Sequence, residues 1–190
     1  MFHTFQISAE VVSDASSLLK SLPKLLELLT DPTHHQMVLA VYDCGPDQRP
    51  CNLKGHKAHW GVVTGVATFL PPFHVMSSVA STDGHIDNGE SGCFVTRGLT
   101  PHPFADKSDE LRKLFSKSDG NFELIVRQSK SKRLFFFDPE ELANSCCNLT
   151  ELSPDIGAQL LFAQKYIVPP GGIKQGLANK CIIIKRPAQL

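Results

Sequence analysis

Residues 60–70 constrain the fold more than any other stretch of this chain. In an extended chain successive side chains point to opposite sides, so Val62, Thr64, Val66 and Thr68 fall on one face and Val63, Gly65, Ala67 and Phe69 on the other. Apolar groups on both faces predict a strand covered on both sides, in the middle of a sheet. Directly before it stands Gly55-His56-Lys57-Ala58-His59, followed by the single Trp of the chain, Trp60. Two histidines three apart at the mouth of a buried strand put a titratable imidazole where hydrolases often keep a general base. The same residues would serve equally well as a polar loop beside a core strand.

The remaining pattern supplies partners for that strand. Ser13-Asp14 ahead of residues 15–22 reads as a capped helix start. Leu18, Leu19 and Leu22 share a face, and Leu25, Leu26, Leu28 and Leu29 continue the apolar run. Pro23 between them predicts two short helices or a kink, with Pro23 near the first turn of the second. Residues 37–42 read as a buried strand and residues 43–54 as a loop rich in Gly, Pro, Asp and Asn. Residues 121–128 and 133–137 flank a polar turn and form a predicted hairpin. Asp138-Pro139-Glu140-Glu141 resembles a helix start, and Ser153-Pro154-Asp155 opens another by the same logic. Residues 107–116 suggest a short helix, and residues 165–168 and 180–185 two more strands. Residues 71–106, rich in Gly, Ser, Pro, Asp and His, read as a surface excursion. About six strands with helices mostly at the front predict an α+β fold with an antiparallel sheet, as a single domain over residues 1–190.

Charge and composition narrow the function. Lys and Arg (19) balance Asp and Glu (19), and the pI is near 7.1, so nothing steers the chain toward nucleic acid or an anionic membrane. No apolar run approaches the roughly 20 residues of a membrane span. The N-terminus lacks a basic segment followed by an apolar one, so the cysteines at 44, 51, 93, 146, 147 and 181 are expected to be reduced thiols of a cytoplasmic protein.

Three constellations could carry chemistry. Cys44, Cys51, His56 and His59 are zinc-type ligands, but the spacing is irregular and lacks a tight Cys-x-x-Cys knuckle. Gly89-Glu90-Ser91-Gly92-Cys93 has Cys where a nucleophile elbow needs its last Gly, and no strong strand and helix flank it. The third is a thiol-protease arrangement, in which an Asp or Asn holds a His that takes the proton of a Cys. His59 begins one predicted strand and Asp138 ends a later one. In an antiparallel sheet the start of one strand can sit beside the end of its neighbour, so Asp138 could accept the imidazole Nδ1 proton. Asp138 reads more readily as a helix N-cap, which the Pro-Glu-Glu that follows explains, and the two roles do not exclude each other.

Lys54-Gly55-His56-Lys57-Ala58-His59-Trp60, preceded by Pro50-Cys51, resembles the histidine motif of the actin maturation protease family. The segment Val168-Pro169-Pro170-Gly171-Gly172-Ile173, followed by Gly176-Leu177, is similar to that family's C-terminal motif. The likeness runs from about residue 39 to about residue 185, with residues 71–119 poorly matched. It implies a papain-like cysteine peptidase fold and an aminopeptidase that removes the acetylated first residue, Met or Cys, from immature actin. It also implies His59 as the catalytic histidine, Asp138 as the third triad member, actin as the partner and no cofactor. Papain-like enzymes place the nucleophilic Cys well before the His, at the start of a central helix. Only Cys44 and Cys51 precede His59 here, and neither begins a helix. The chain is therefore expected to start downstream of the nucleophile segment, to be incomplete at its N-terminus, and to show little or no peptidase activity alone. The competing expectations are a non-catalytic actin-binding or regulatory module and a zinc-binding protein.

Overall fold

A computed structural model describes residues 7–31, 33–69, 92–96, 121–128, 131, 133–154 and 170–187. The expected excursion at 71–106, the helix at 107–116, the strand at 165–168 and most of the helix begun at Ser153 lie outside the described residues.

Among the described residues eight strands form one antiparallel sheet: β1 (Ser8–Val12), β2 (His34–Cys44), β3 (Pro50–Cys51), β4 (Ala58–Phe69), β5 (Gly92–Thr96), β6 (Glu123–Gln128), β7 (Leu134–Phe137) and β8 (Cys181–Pro187). The order is β1-β8-β2-β4-β6-β7, with β3 paired to β2 and β5 to β4. The expectation of a central β4 is met. Its first half pairs with β2 from Ala58 opposite Asp43 to Val63 opposite Val38, and its other edge pairs with β6 from Gly61 opposite Gln128 onward. Beyond Val63, β5 takes the edge that β2 leaves.

Strict alternation fails at Thr64. The register with β6 shifts between Val63 and Gly65, a bulge that inserts one residue and turns the strand. Val63 and Val66, three apart, are therefore both fully buried in one core. The two-residue period read from the sequence puts them on opposite faces. β2 is also longer than expected, and Asp43 and Cys44 belong to it rather than to the loop. β1 was not foreseen; among the described residues it pairs with β8 at the edge of the sheet.

Among the described residues three helices close the core: α1 (Ala15–Leu19), α2 (Leu22–Leu29) and α3 (Pro139–Cys147). A short fourth, α4 (Gly172–Gly176), precedes β8. Pro23 falls in the first turn of α2, as expected, and the Asp14 carboxylate caps α1 by accepting from Ser17 N at 3.1 Å. Leu18, Leu19, Leu25, Leu26 and Leu29 are buried against Val38, Tyr42, Val63, Leu124 and Leu142. At about 1.5–3 kcal/mol for each buried leucine, these five contribute on the order of 10 kcal/mol, comparable with the net stability of a whole domain. The N-terminal helices are thus part of the core. Asn179 fastens α1 in place, since its carbonyl accepts from Ala15 N (2.9 Å) and its side-chain oxygen from Ser16 N (2.8 Å).

Candidate active site

The site forms where β2 ends and β4 begins. Asp43, on the last turn of pleat of β2, has no exposed surface. Its Oδ2 accepts from the backbone N–H groups of Leu53 (2.8 Å) and Gly55 (2.8 Å), and its Oδ1 from that of Lys57 (3.0 Å). A buried carboxylate is strongly unfavourable unless its oxygens are satisfied. Here three amides from one loop satisfy them, and the loop is drawn into a tight coil around the charge.

The outer side of that loop rests on the end of α3. Lys54 N donates to Asn148 Oδ1 (2.8 Å), and Lys54 O accepts from Thr150 N (2.9 Å) and Glu151 N (2.7 Å). Gly55 has φ +103°, and a Cβ there would stand 2.6 Å from Glu151 O, so only glycine fits. Ser145 bridges the same junction: its Oγ accepts from Asp43 N (2.9 Å) and donates to Cys51 O (2.5 Å). His56 is occupied on the surface, with Nε2 3.4 Å from Glu151 Oε2, while Lys54 Nζ lies 3.1 Å from Oε1. The Lys54 hydrogen bond, helped by His56, holds the Glu151 carboxyl below the usual range.

His59 emerges one residue into β4, half-buried and directly opposite Tyr42 on β2. The two rings meet edge-on, with centroids 6.4 Å apart and planes at 82°. Tyr42 is fully buried and meets Phe137 in the same manner at 5.6 Å. Gly61 makes room for it, since a Cβ there would lie 2.7 Å from Val126 Cγ1 and 3.1 Å from Tyr42 Cε1. Among the described residues the buried Tyr42 hydroxyl has no hydrogen bond of good geometry, the Gln128 amide being the polar group beside it. Burial pushes its pKa well up, with the Cys44 thiol adding to the rise and the Gln128 amide opposing it. Gln128, opposite Gly61, is nearly buried and donates from Nε2 to Gln48 O at 2.8 Å.

The structure does not bring His59 and Asp138 together in the expected way. The strand beside the start of β4 is β6, and the residue it places there is Gln128. β7 lies one strand further out, and its last residue, Phe137, pairs with Leu124, which pairs with Val66. Asp138 therefore follows a strand end about seven residues along the sheet from His59. Its Oδ1 accepts from Glu140 N (2.8 Å) and Glu141 N (2.9 Å), the N-cap of α3. The connection between the two regions is aromatic, running from Phe137 through Tyr42 to His59.

Among the described residues no three or more His, Cys, Asp or Glu side chains are gathered as a metal site. Cys51 Sγ donates to Asp43 O (3.5 Å) and Cys44 Sγ to Gly45 O (3.7 Å). Cys44, Cys51, Cys146, Cys147 and Cys181 are free thiols. Burial raises the thiol pKa of Cys44 and Cys51, and more strongly those of Cys146 and Cys181. These four thiols stay protonated at neutral pH and are poor nucleophiles in this state.

Sequence reasoning passed over Asp43, Tyr42 and Gln128. One signal was present: Tyr42-Asp43 ends an apolar strand on two polar groups, the second of them acidic.

A histidine at the mouth of the central strand, braced by a buried tyrosine and a clamped loop, stands in a segment that a protease family shares. Residues 2–67 match the family model described as "Actin maturation protease-like, C-terminal domain". The chain is homologous to the actin maturation proteases. It is 31% identical to that of Bos taurus over 148 residues, covering 78% of this chain and 38% of that protein. It is 31% identical to that of Mus musculus over 149 residues (78% and 37%) and 29% identical to that of Homo sapiens over 148 residues (77% and 38%). The chain spans less than half the length of these curated relatives. No solved structure matches it.

Proposed function

We propose that this chain carries the histidine part of a cysteine aminopeptidase site that removes the acetylated Met or Cys from the N-terminus of immature actin. The observation that carries the reading is the position of His59. It is a half-buried imidazole at the mouth of the central strand, inside the segment shared with the actin maturation proteases. In such a site the imidazole takes the proton of a thiol and returns it to the leaving amine. The antiparallel sheet with helices packed on it is compatible with a papain-like arrangement. The raised pKa values of Cys44 and Cys51 favour a nucleophile other than these two. Asp138 serves the site through α3, whose N-terminus it caps and whose far end holds the loop ahead of His59. The proposed setting is the cytoplasm, where actin is found; among the described residues no helix is long and apolar enough to cross a membrane.

A second reading, a non-catalytic module that binds actin, is favoured by the protonated state of those thiols. Mass spectrometry of an acetylated actin N-terminal peptide incubated with the purified chain, beside a pull-down of immature actin, tests both. Little peptide release with retention of actin is expected. Rapid turnover abolished by Cys44→Ser or Cys51→Ser would place the nucleophile in this chain and overturn the account.

A further inference from the structure

We propose that Asp43 is the positioning residue of the histidine site, setting where His59 stands by holding the loop before it and not by touching the imidazole. All three donors to its carboxylate, the amides of Leu53, Gly55 and Lys57, lie in the loop that ends one residue before β4. Asp43 is itself the register partner of Ala58, the first residue of β4. Its chain neighbour Tyr42 is the partner of His59 and sets its ring edge-on to the imidazole. One dipeptide of β2 thus fixes both the path by which the chain reaches His59 and the aromatic surface against which His59 rests. Among the described residues the carboxylate is held by backbone amides and pairs with no cation, and hydrogen bonds to an ionised acceptor are about twice as strong as neutral ones. The opposite wall of the loop, on Asn148, Thr150 and Glu151, holds the main chain of residue 54 and, through Glu151, the His56 side chain. Without the carboxylate, Gly55 N and Lys57 N would lose their acceptors, and the stretch would be left to the Cys44 N bond to Lys57 O and the local turn bonds of His56 N and Ala58 N. An acidic residue does organise the histidine, but it is Asp43 and it acts through the main chain.

The test uses the chain itself, labelled in histidine, and reads the displacement that the Tyr42 ring current imposes on the His59 ring signals. Asp43→Asn keeps the shape but turns one acceptor into a donor facing an amide. Leu53→Pro removes one donor and leaves the buried charge in place, which covers the case where the first variant does not fold. Amide exchange at Gly55 and Lys57 is expected to rise roughly tenfold or more. The His59 signals should move toward those of an unstructured histidine, while Val63 and Val66 stay protected and Tyr42 keeps its contact with Phe137. An unchanged His59 ring displacement in both folded variants would overturn the proposal and leave Asp43 as a purely structural group. The proposal rests on His59 being the working group proposed above. Because the readout needs no turnover, a chimera with the bovine relative that stays active with alanine at position 59 would count against that function and leave the ring measurement to decide this one.

Discussion

Tyr42 and His59 stand directly opposite each other on β2 and β4, with their rings edge-on at 6.4 Å. Behind Tyr42, Phe137 repeats the contact at 5.6 Å. The imidazole is therefore the outermost ring of an aromatic stack that begins in the core. Each such pair is worth about 0.5–1.5 kcal/mol beyond its buried area, enough to favour one ring orientation over free rotation.

The stack separates the roles of the Tyr42 ring and its hydroxyl. Tyr42→Phe keeps the ring and removes a buried hydroxyl that makes no well-formed hydrogen bond among the described residues. It should be neutral or stabilising by up to about 1 kcal/mol. Tyr42→Ala leaves a cavity and should destabilise by about 3–5 kcal/mol. Urea denaturation midpoints of the three proteins check both. A large loss for Tyr42→Phe would mean that the hydroxyl is hydrogen-bonded in solution.

Asp138 distinguishes a helix cap from a triad member. Asparagine caps helices as well as aspartate, so Asp138→Asn should leave stability and the His59 site near wild type. Asp138→Ala should destabilise by about 1 kcal/mol. If Asp138 oriented the imidazole directly, the asparagine change would instead reduce turnover by about 10⁴-fold. Melting temperatures of the chain, together with turnover measured in a chimera with the bovine relative, separate the two.

The two glycines that frame the site should tolerate little. Gly61→Ala forces a methyl group between Val126 and the Tyr42 ring and should destabilise by about 1–3 kcal/mol. Gly55→Ala adds a left-handed backbone conformation to a 2.6 Å approach to Glu151 O. It should be the more damaging of the two, and thermal unfolding of both variants should rank them in that order.

The buried thiols make alkaline stability a readable quantity. Burial pushes the Cys181 thiol from 9.0 up to about 11, and Cys146 further. A group whose pKa is raised by folding contributes stability that is fully present below its unfolded pKa and lost as pH rises through the folded one. The denaturation midpoint should therefore fall between about pH 9 and pH 11, and fall less in Cys181→Ala.

What the sequence showed was local. The 121–137 hairpin, the Pro23 break and the Asp138 cap each depend on neighbours a few residues away, and each is present. Between the strands of His59 and Asp138 stands β6, and the hairpin puts the end of β7 in register with the far part of β4, a relation that depends on long-range pairing. Asp43 escaped notice for a different reason. Its partners are 10, 12 and 14 residues away and donate through the main chain, so no side-chain type marks them. The bulge at Thr64 leaves no mark in composition either, and it alone brings Val63 and Val66 to one core.

The most direct test of the central claim transplants this chain into the matching segment of the bovine relative and compares His59 with alanine at that position. Release of the acetylated residue from an actin N-terminal peptide is measured for both. The chimera is expected to be active, and His59→Ala to reduce turnover by roughly 10³-fold or more without lowering the melting temperature. An alanine variant within a few-fold of the unsubstituted chimera would contradict the assignment of His59 as the general base.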